Sequence, residues 1–494
     1  MAHEPLLLIA ANDPTPLALA PWAEACRAAL DAGERLVMLF GRPDGNAFML
    51  TAVLQPPATG LRVLRARAPR GASYPALTAS HPAAQIHERE LWEQTGPNGI
   101  TPEGHPWLKP VRFEGARQQR MDEYPFFTVR GQEVHEVGVG PIHASVIEPG
   151  HFRFMCHGER VQHLEIQLGY QHRGVEALLL QRPPLALTPL IETVAGDSSI
   201  AYAWGYCAAV EALAGIAITP EAERVRGIAL ELERIAMHLV GLTGLATDIA
   251  FLQGGATYGR LRTAIINATM RVSGSRFGRG WLRPGGVRHA IGDERRRDLQ
   301  ATLAAFAKDL AEVNALVLGA RSVRSRLQGV GTVSARAARD LGLVGHAARA
   351  SGVDVDTRAD LPGRLYTAHP VTPQVEYDGD CWARLRVRMR EIDESLRWLD
   401  TLLADPAIDL ATASPPPLGA PKPETLCISV REGFRGPVVQ AYETDAGGRL
   451  RHVKLQDPSL PNWFGLALAV RDNEISDFPI CNKSFDLSYC GNDL

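Results

Sequence analysis

No C-x-x-C pair occurs anywhere in the 494 residues. The seven cysteines, Cys26, Cys156, Cys207, Cys381, Cys427, Cys481 and Cys490, are odd in number and scattered. That excludes a disulfide framework and fits a reducing compartment. A long apolar run is also missing. The segment Leu6–Ala11 is too short to span a bilayer and follows the acidic Glu4 instead of a basic region, so it reads as a buried strand. The apolar stretches around Ile200–Ile218 and Leu239–Ala256 are interrupted by Glu211 and Asp248, and are expected to be core helices. Aromatic residues are sparse, at 6%. Neither sign of charge dominates: 52 basic against 55 acidic side chains leave a net charge of -3. This balance excludes the electrostatic footprint of a nucleic-acid binder and gives no reason to expect adhesion to an anionic membrane surface. Any membrane contact should run through protein partners. There is no internal repeat and no long low-complexity tract.

What is present is a globular composition, 45% hydrophobic and 22% charged, in a chain long enough for two to four domains. An α+β class is expected. Residues 1–115 form a first, α/β sandwich-like domain: a strand at Leu6–Ala11, a helix over Pro21–Ala32, and strands at Arg35–Phe40 and Asn46–Leu54. Residues 116–130 are polar, with Arg117, Gln118, Gln119, Arg120, Asp122 and Glu123, and suit a linker. Residues 131–494 form the second domain. It opens with strands between Gly131 and Gly169, and is mostly helical from Glu176 to Leu327 and again over Cys381–Leu403. The segment Ala413–Lys422 reads as a loop, and Thr425–Leu494 as strands and loops.

Four constellations stand out. The first is Ser73-Tyr74-Pro75-Ala76-Leu77-Thr78, then His87-Glu88-Arg89-Glu90-Leu91-Trp92, then Pro102-Glu103-Gly104-His105-Pro106. Pro102 and Gly104 set a turn, and Glu88, Arg89 and Glu90 read as a surface charge cluster on a structural corner. The second joins Gly140-Pro141-Ile142-His143 and Glu148-Pro149-Gly150-His151 to His172, Arg173 and Glu176. The Gly-Pro and Pro-Gly steps place His143 and His151 on loops, and the other three fall within one turn of a helix start. A loop histidine is more often solvated than catalytic, but three converging polar groups beside an apolar helix point to a site. The third is Glu231, Arg234 and His238, whose i, i+3, i+7 spacing puts them on one helix face beside an apolar stripe of Leu232, Ile235 and Leu239. A buried structural ion pair and a functional network explain it equally well. The fourth is the dense polar-aromatic run Asp477–Leu494, whose texture suggests docking into a pocket.

The first constellation resembles the small hydrophilic subunit of complex I over residues 70–115. The others occur in a fixed order with Gly285-Gly286-Val287-Arg288, Ala350-Ser351-Gly352-Val353-Asp354, Glu443-Thr444-Asp445 and Asn482–Tyr489 between or beside them. Over residues 131–494 that order resembles the hydrogenase-like large subunit of complex I and of membrane-bound hydrogenases. The fusion of both parts in one chain is similar to the formate-hydrogenlyase and hydrogenase-4 branch. The resemblance implies a mainly helical, nickel–iron-hydrogenase-large-subunit-like second domain with small β elements.

Departures from the family pattern decide what the resemblance implies chemically. The two thiolate pairs of a nickel–iron centre would fall at Ala195 and Ser198, and at Ser488 and Gly491. Hydroxyls do not replace soft thiolates, so no nickel–iron site and no other bound metal are expected. The histidine and tyrosine that face a quinone headgroup in the quinone-reducing branch would fall at Ile147 or Pro149 and at Gly196. His143, Tyr202 and Tyr489 lie nearby as substitutes, while Asp197, Ser198, Ser199, Asp486 and Ser488 would line the vacated pocket. By resemblance, His172, Arg173 and Glu176 face a [4Fe–4S] cluster held by an adjacent iron–sulfur small subunit, and Glu231, Arg234 and His238 form a proton network. Further implied partners are a ferredoxin-like subunit and antiporter-like membrane subunits, with the chain peripheral on the cytoplasmic face of the inner membrane. The implied function is an electron-transfer and coupling subunit of a complex I-related oxidoreductase. The alternatives are a quinone-reducing subunit with an altered headgroup site and a non-catalytic scaffold.

Overall fold

The computed structural model describes residues 5–11, 13–57, 60–112, 124–144, 147–411 and 419–494. Helix takes up 46% and strand 20%, and the strands are divided among five small sheets, which makes the class α+β as expected.

Near the N-terminus, the helix Leu19–Asp31 covers one face of a three-stranded antiparallel sheet. Its strands are Arg35–Asp44, Ala47–Gln55 and Arg62–Pro69. The third strand alternates arginines with apolar residues and escapes a search for apolar runs. Trp22, Leu39, Leu50, Tyr74 and Leu91 fill the core between helix and sheet. The opposite face of the sheet is also apolar: Met38, Phe40, Val53 and Val63 pack on Ile428, Val430, Val439 and Ala441 of a second sheet. Two sheets thus share one core. Strand Leu6–Ala10 does not join the first sheet. It pairs antiparallel with Thr425–Gly433, at the edge of the four-stranded sheet completed by Gly436–Thr444 and Leu450–Gln456. Within one chain, strand pairing follows which edge is open, not sequence proximity.

Helices build the rest. Ser199–Ala214 is small-residue-rich and has 14 of its 16 residues buried, so it runs through the centre. The 29-residue helix Pro220–Asp248 starts with favourable end chemistry: the Thr219 side chain accepts from the Ala222 N–H, Pro220 occupies the first turn, and Glu221 and Glu223 face the positive end. It packs against Leu252–Ser273 and Cys381–Ala404, with Asp293–Gly319 alongside. Among the described residues no helix is long and apolar enough to cross a membrane.

Three expectations are corrected. Glu88, Arg89 and Glu90 are buried, not a surface cluster. Glu88 accepts from the backbone of Leu77 and Thr78, Arg89 donates to the carbonyls of Lys109 and Pro110, and Glu90 pairs with Arg112 and Lys454. Their partners come from distant segments, which spacing within one turn cannot reveal. The stretch after Gln456 is helical, not strand and loop: Ser459–Ala469, Phe478–Phe485 and Tyr489–Asp493. These helices are short and interrupted by Pro461, Pro479 and Gly491, so the sequence shows little periodicity. His151 opens the strand His151–His157 and is not on a loop. Most of the expected linker 116–130, and much of the loop Ala413–Lys422, lie outside the described residues.

Candidate functional site

The expected pocket-lining residues meet where the N-terminal end of the Ser199 helix faces the turn between strands Thr425–Gly433 and Gly436–Thr444. Arg435 sits in that two-residue turn and grips Asp197 with both arms, Nη1 to Oδ1 at 2.8 Å and Nη2 to Oδ2 at 2.6 Å. Its Nε donates to the backbone oxygen of Asp486. Burial works to raise the Asp197 pKa, but the Arg435 guanidinium outweighs it and holds the carboxyl below its usual range. Tyr202 donates its hydroxyl to Asp457 at 2.8 Å. Burial pushes Asp457 up, with only partial relief from Arg435.

Ser198 is buried at the start of the Ser199 helix, and Ser488 caps the Tyr489–Asp493 helix by accepting from the Gly491 N–H at 2.9 Å. A nickel–iron centre does not fit these residues. Ala195 offers no donor atom, the Ser488 hydroxyl is engaged as a cap, and a side chain at Gly491 would begin 2.5 Å from the Asp457 carboxylate. Among the described residues no cluster of three or more His, Cys, Asp and Glu is placed to hold a metal ion.

The three groups suggested as quinone-facing substitutes are committed internally. His143 Nε2 lies 2.7 Å from the Gly150 carbonyl. Tyr202 is bound to Asp457. Tyr489 packs on Trp463 and its hydroxyl accepts from Asn482 at 3.3 Å.

His172, Arg173 and Glu176 do not stay together. His172 Nδ1 meets the Asp493 carbonyl at 2.7 Å, and Arg173 donates to the carbonyls of Thr193, Val194 and Cys490. Both are exposed, at one rim of the pocket. Glu176 turns the other way and accepts from Lys454 and the Leu455 N–H. Residues one turn apart diverge here because Lys454 is buried and draws both Glu90 and Glu176.

Glu231, Arg234 and His238 belong to a buried ion-pair cluster that draws on several other segments. All three are fully buried. Glu391, from the Cys381 helix, is its centre: it takes Arg234 at 2.6 Å, His238 at 2.8 Å and Arg349 at 2.7 Å. Burial would raise Glu391, yet Arg349, His238 and Arg234 together hold it well below the usual carboxylate range. Arg349 continues to Glu432 at 3.0 Å, Arg358 joins Asp356 at 2.7 Å and Glu231 at 3.1 Å, and Tyr366 and Ser395 donate to Glu231.

The two clusters are linked. The His238 ring stands edge-on to His346, whose Nε2 lies 2.9 Å from Arg388. Arg388 reaches Asp486 at 3.5 Å, and Asp486 lies 4.0 Å from Arg435. Polar groups thus run from Asp197 through Arg435, Asp486 and Arg388 to His346, and from His238 to Glu391, Arg234 and Glu231, the two stretches meeting only at the His238–His346 ring contact, with centroids 6.4 Å apart. Gly241 makes room for the first stretch, because a Cβ there would sit 2.7 Å from the Arg388 guanidinium carbon. Glu391, Arg349, Arg388 and Arg435 went unassigned in the sequence because their partners lie in distant segments. The available signal was the number of charged residues in the otherwise apolar Cys381–Ala404 helix.

Burial holds His238 neutral, its pKa lowered to about 4 despite the pull of Glu391, and His346 lies well below its ordinary value for the same reason, aided by Arg388. The unfolded chain therefore binds a proton between pH 6.5 and 4 that the native His238 refuses, and stability falls as pH drops through that window. The shift corresponds to ~3 kcal/mol for His238 alone. In urea titrations from pH 7 to pH 4, the wild-type chain should lose stability more steeply than His238→Gln. Parallel slopes would show that His238 does not titrate this way.

A stretch of the chain, residues 248–413, matches the model of the respiratory-chain NADH dehydrogenase 49 Kd subunit family. NADH-quinone oxidoreductase subunit 4 of Thermus thermophilus is 30% identical over 387 residues, covering 72% of this chain and 92% of that protein. The chain belongs to the 49 kDa subunit family. Formate hydrogenlyase subunit 5 of Escherichia coli, a further relative, is 29% identical over 437 residues, 84% of this chain and 76% of its own length. A chain in the structure of the membrane-bound sulfane sulfur reductase, an archaeal respiratory membrane complex, superposes with a TM-score of 0.68 at 24% identity, over 74% of this chain and 99% of that one. That likeness establishes a shared fold. Membership in the 49 kDa subunit family agrees with the resemblance read from the motif order, and the relatives include both hydrogenase and NADH-quinone oxidoreductase subunits.

Proposed function

We propose that this chain is the electron-transfer and coupling subunit of a membrane-associated, complex I-related oxidoreductase, with no nickel–iron centre of its own. The observation that supports this reading is the line of largely buried polar groups from Asp197 to Glu231, bridged at one step by the His238–His346 ring contact, through an otherwise apolar helical core. Buried charge of this density costs stability unless it is fully paired, and is a poor way to hold a fold together. The line makes sense as a path along which a charge change at one end alters protonation at the other.

In this proposal an iron–sulfur protein carrying the [4Fe–4S] cluster, the small subunit of the complex, binds at the rim of His172 and Arg173. An added electron charge about 10 Å from a carboxylate, at an effective dielectric of about 20, is worth ~1.7 kcal/mol, slightly over one pKa unit. Asp486, pushed up by burial against the pull of Arg388 and Arg435, is the acid on this line whose protonation such a charge would favour. A ferredoxin-like subunit would feed the cluster and antiporter-like membrane subunits would use the displaced charge, with this chain peripheral on the cytoplasmic face. Quinone reduction at this pocket has less support, because His143 Nε2 and the Tyr202 hydroxyl are already engaged with the Gly150 carbonyl and the Asp457 carboxylate.

Affinity purification of the tagged chain from detergent-solubilised membranes tests the proposal. An iron–sulfur subunit and multi-span membrane proteins should be recovered with it in fixed ratio. Recovery of the chain alone would defeat the membrane-complex reading.

A further inference from the structure

Two cysteines that lie 100 positions apart in sequence share one buried site. Cys381 is the first residue of the 24-residue helix Cys381–Ala404, and Cys481 lies on Phe478–Phe485. Both are fully buried, and each shifts the ionisation of the other. Arg384 Nη2 donates to Cys381 Sγ at 3.3 Å, and the Ser484 hydroxyl is 3.5 Å from the same sulfur. Both sulfurs face Gly331: a Cβ built there would lie 2.7 Å from Cys481 Sγ and 3.3 Å from Cys381 Sγ. Gly331 adopts a positive φ of 64° and has no side chain, so its backbone lies directly over the pair. Gly331 itself is buried, while Gly329 and Thr332, close on either side, are exposed.

We infer that Cys381 and Cys481 form a redox-active dithiol, oxidised to an intramolecular disulfide by a small hydroperoxide and restored by thiol reductants. The nucleophile is Cys381. Burial opposes its ionisation, but the Cys481 thiol, Arg384 and Ser484 together lower its pKa below the usual thiol range, and the helix N-terminus favours the anion in the same sense. Cys481 is shifted well upward and remains the thiol. The other fully buried cysteines contrast with this pair: burial pushes Cys26 and Cys427 up to about 12, which leaves them inert.

With hydrogen peroxide as oxidant, the Cys381 thiolate attacks one oxygen. An S–O bond forms, the O–O bond breaks, and hydroxide leaves and takes up a proton as water. The Cys481 sulfur, on losing its proton, then attacks the Cys381 sulfenic acid. An S–S bond forms, the S–O bond breaks, and a second water departs. The two sulfurs give up two electrons, and one peroxide becomes two waters. The bond would fasten the helix bearing Arg388 and Glu391 to the helix that leads into Asp486, across the 3.5 Å Arg388–Asp486 gap in the polar line.

The test uses the full chain in its purified assembly. It is treated with hydrogen peroxide, unfolded in N-ethylmaleimide and mapped by mass spectrometry. A cross-linked peptide pair joining Cys381 to Cys481 should appear, lighter by two hydrogens, and vanish after dithiothreitol, while Cys26 and Cys427 stay alkylated. In Cys481→Ser, dimedone should trap a sulfenic acid on Cys381. Alkylation of both thiols at a peroxide dose that oxidises the partly exposed Cys490 overturns the proposal. So does sulfinic acid on Cys381 with Cys481 still free in the wild-type chain.

Discussion

Replacing Glu391 with Gln is expected to cost the fold about 3–5 kcal/mol, the usual penalty for breaking a buried ion pair from one side. The carboxylate serves three cationic or polarised groups at once, Arg234, Arg349 and His238, all within 2.8 Å and all fully buried. A glutamine keeps one acceptor oxygen but turns an N–H2 toward a guanidinium or an imidazole N–H. Two arginines then lie in the core without their shared counter-charge. His238 also loses the one group that favours its protonation. An exposed pair on the same helical layer, Arg260 with Asp309, is the control: Asp309→Asn should change stability by less than about 1 kcal/mol. Urea unfolding of the two variants beside the wild type decides the matter. If Glu391→Gln falls within the range of Asp309→Asn, the network is not the electrostatic centre its geometry indicates.

That centre was only half legible in the sequence. Glu231, Arg234 and His238 could be read as one face because helix periodicity is a local property and i, i+3, i+7 spacing survives folding. Glu391, Arg349 and Arg358 could not be assigned to the same cluster, since nothing local to 349, 358 or 391 records that these segments meet. The same limit explains the N-terminal region. The helix Leu19–Asp31 and the first two strands of its sheet follow from apolar patterning, but the pairing of Leu6–Ala10 with Thr425–Gly433 depends on an edge formed at the far end of the chain. Side chains whose role is to touch another segment, such as Glu88 or Glu176, looked like solvated charge. The missing ligand set was legible through absence. Thiolates missing at Ala195, Ser198, Ser488 and Gly491 are visible in the bare residue order, and the geometry adds that the Asp457 carboxylate fills the space beside Gly491.

Converting Asp197 to Asn should leave electron flow running and abolish its coupling to ion movement. The expectation rests on what Arg435 does when its partner is neutralised. In the wild-type chain Asp197 holds both guanidinium arms, and Asp486 stands 4.0 Å away as a second, weaker partner. With Asn at 197 the guanidinium still needs a counter-charge, and Asp486 is the nearest carboxylate. Asp486 would be drawn into the ionised state, away from Arg388, and its elevated pKa would fall. An acid that stays ionised in both redox states cannot pass on the difference between them, so the line is cut without disturbing the rim at His172 and Arg173, where electrons are proposed to arrive. Asp197→Glu, which keeps the charge, should retain partial coupling, whereas a purely structural role would make both variants lose activity together. The measurement is electron transfer and ion uptake side by side in membrane vesicles. Ion uptake per electron equal to wild type in Asp197→Asn would remove Asp197 from the coupling path and leave the polar line as structure alone.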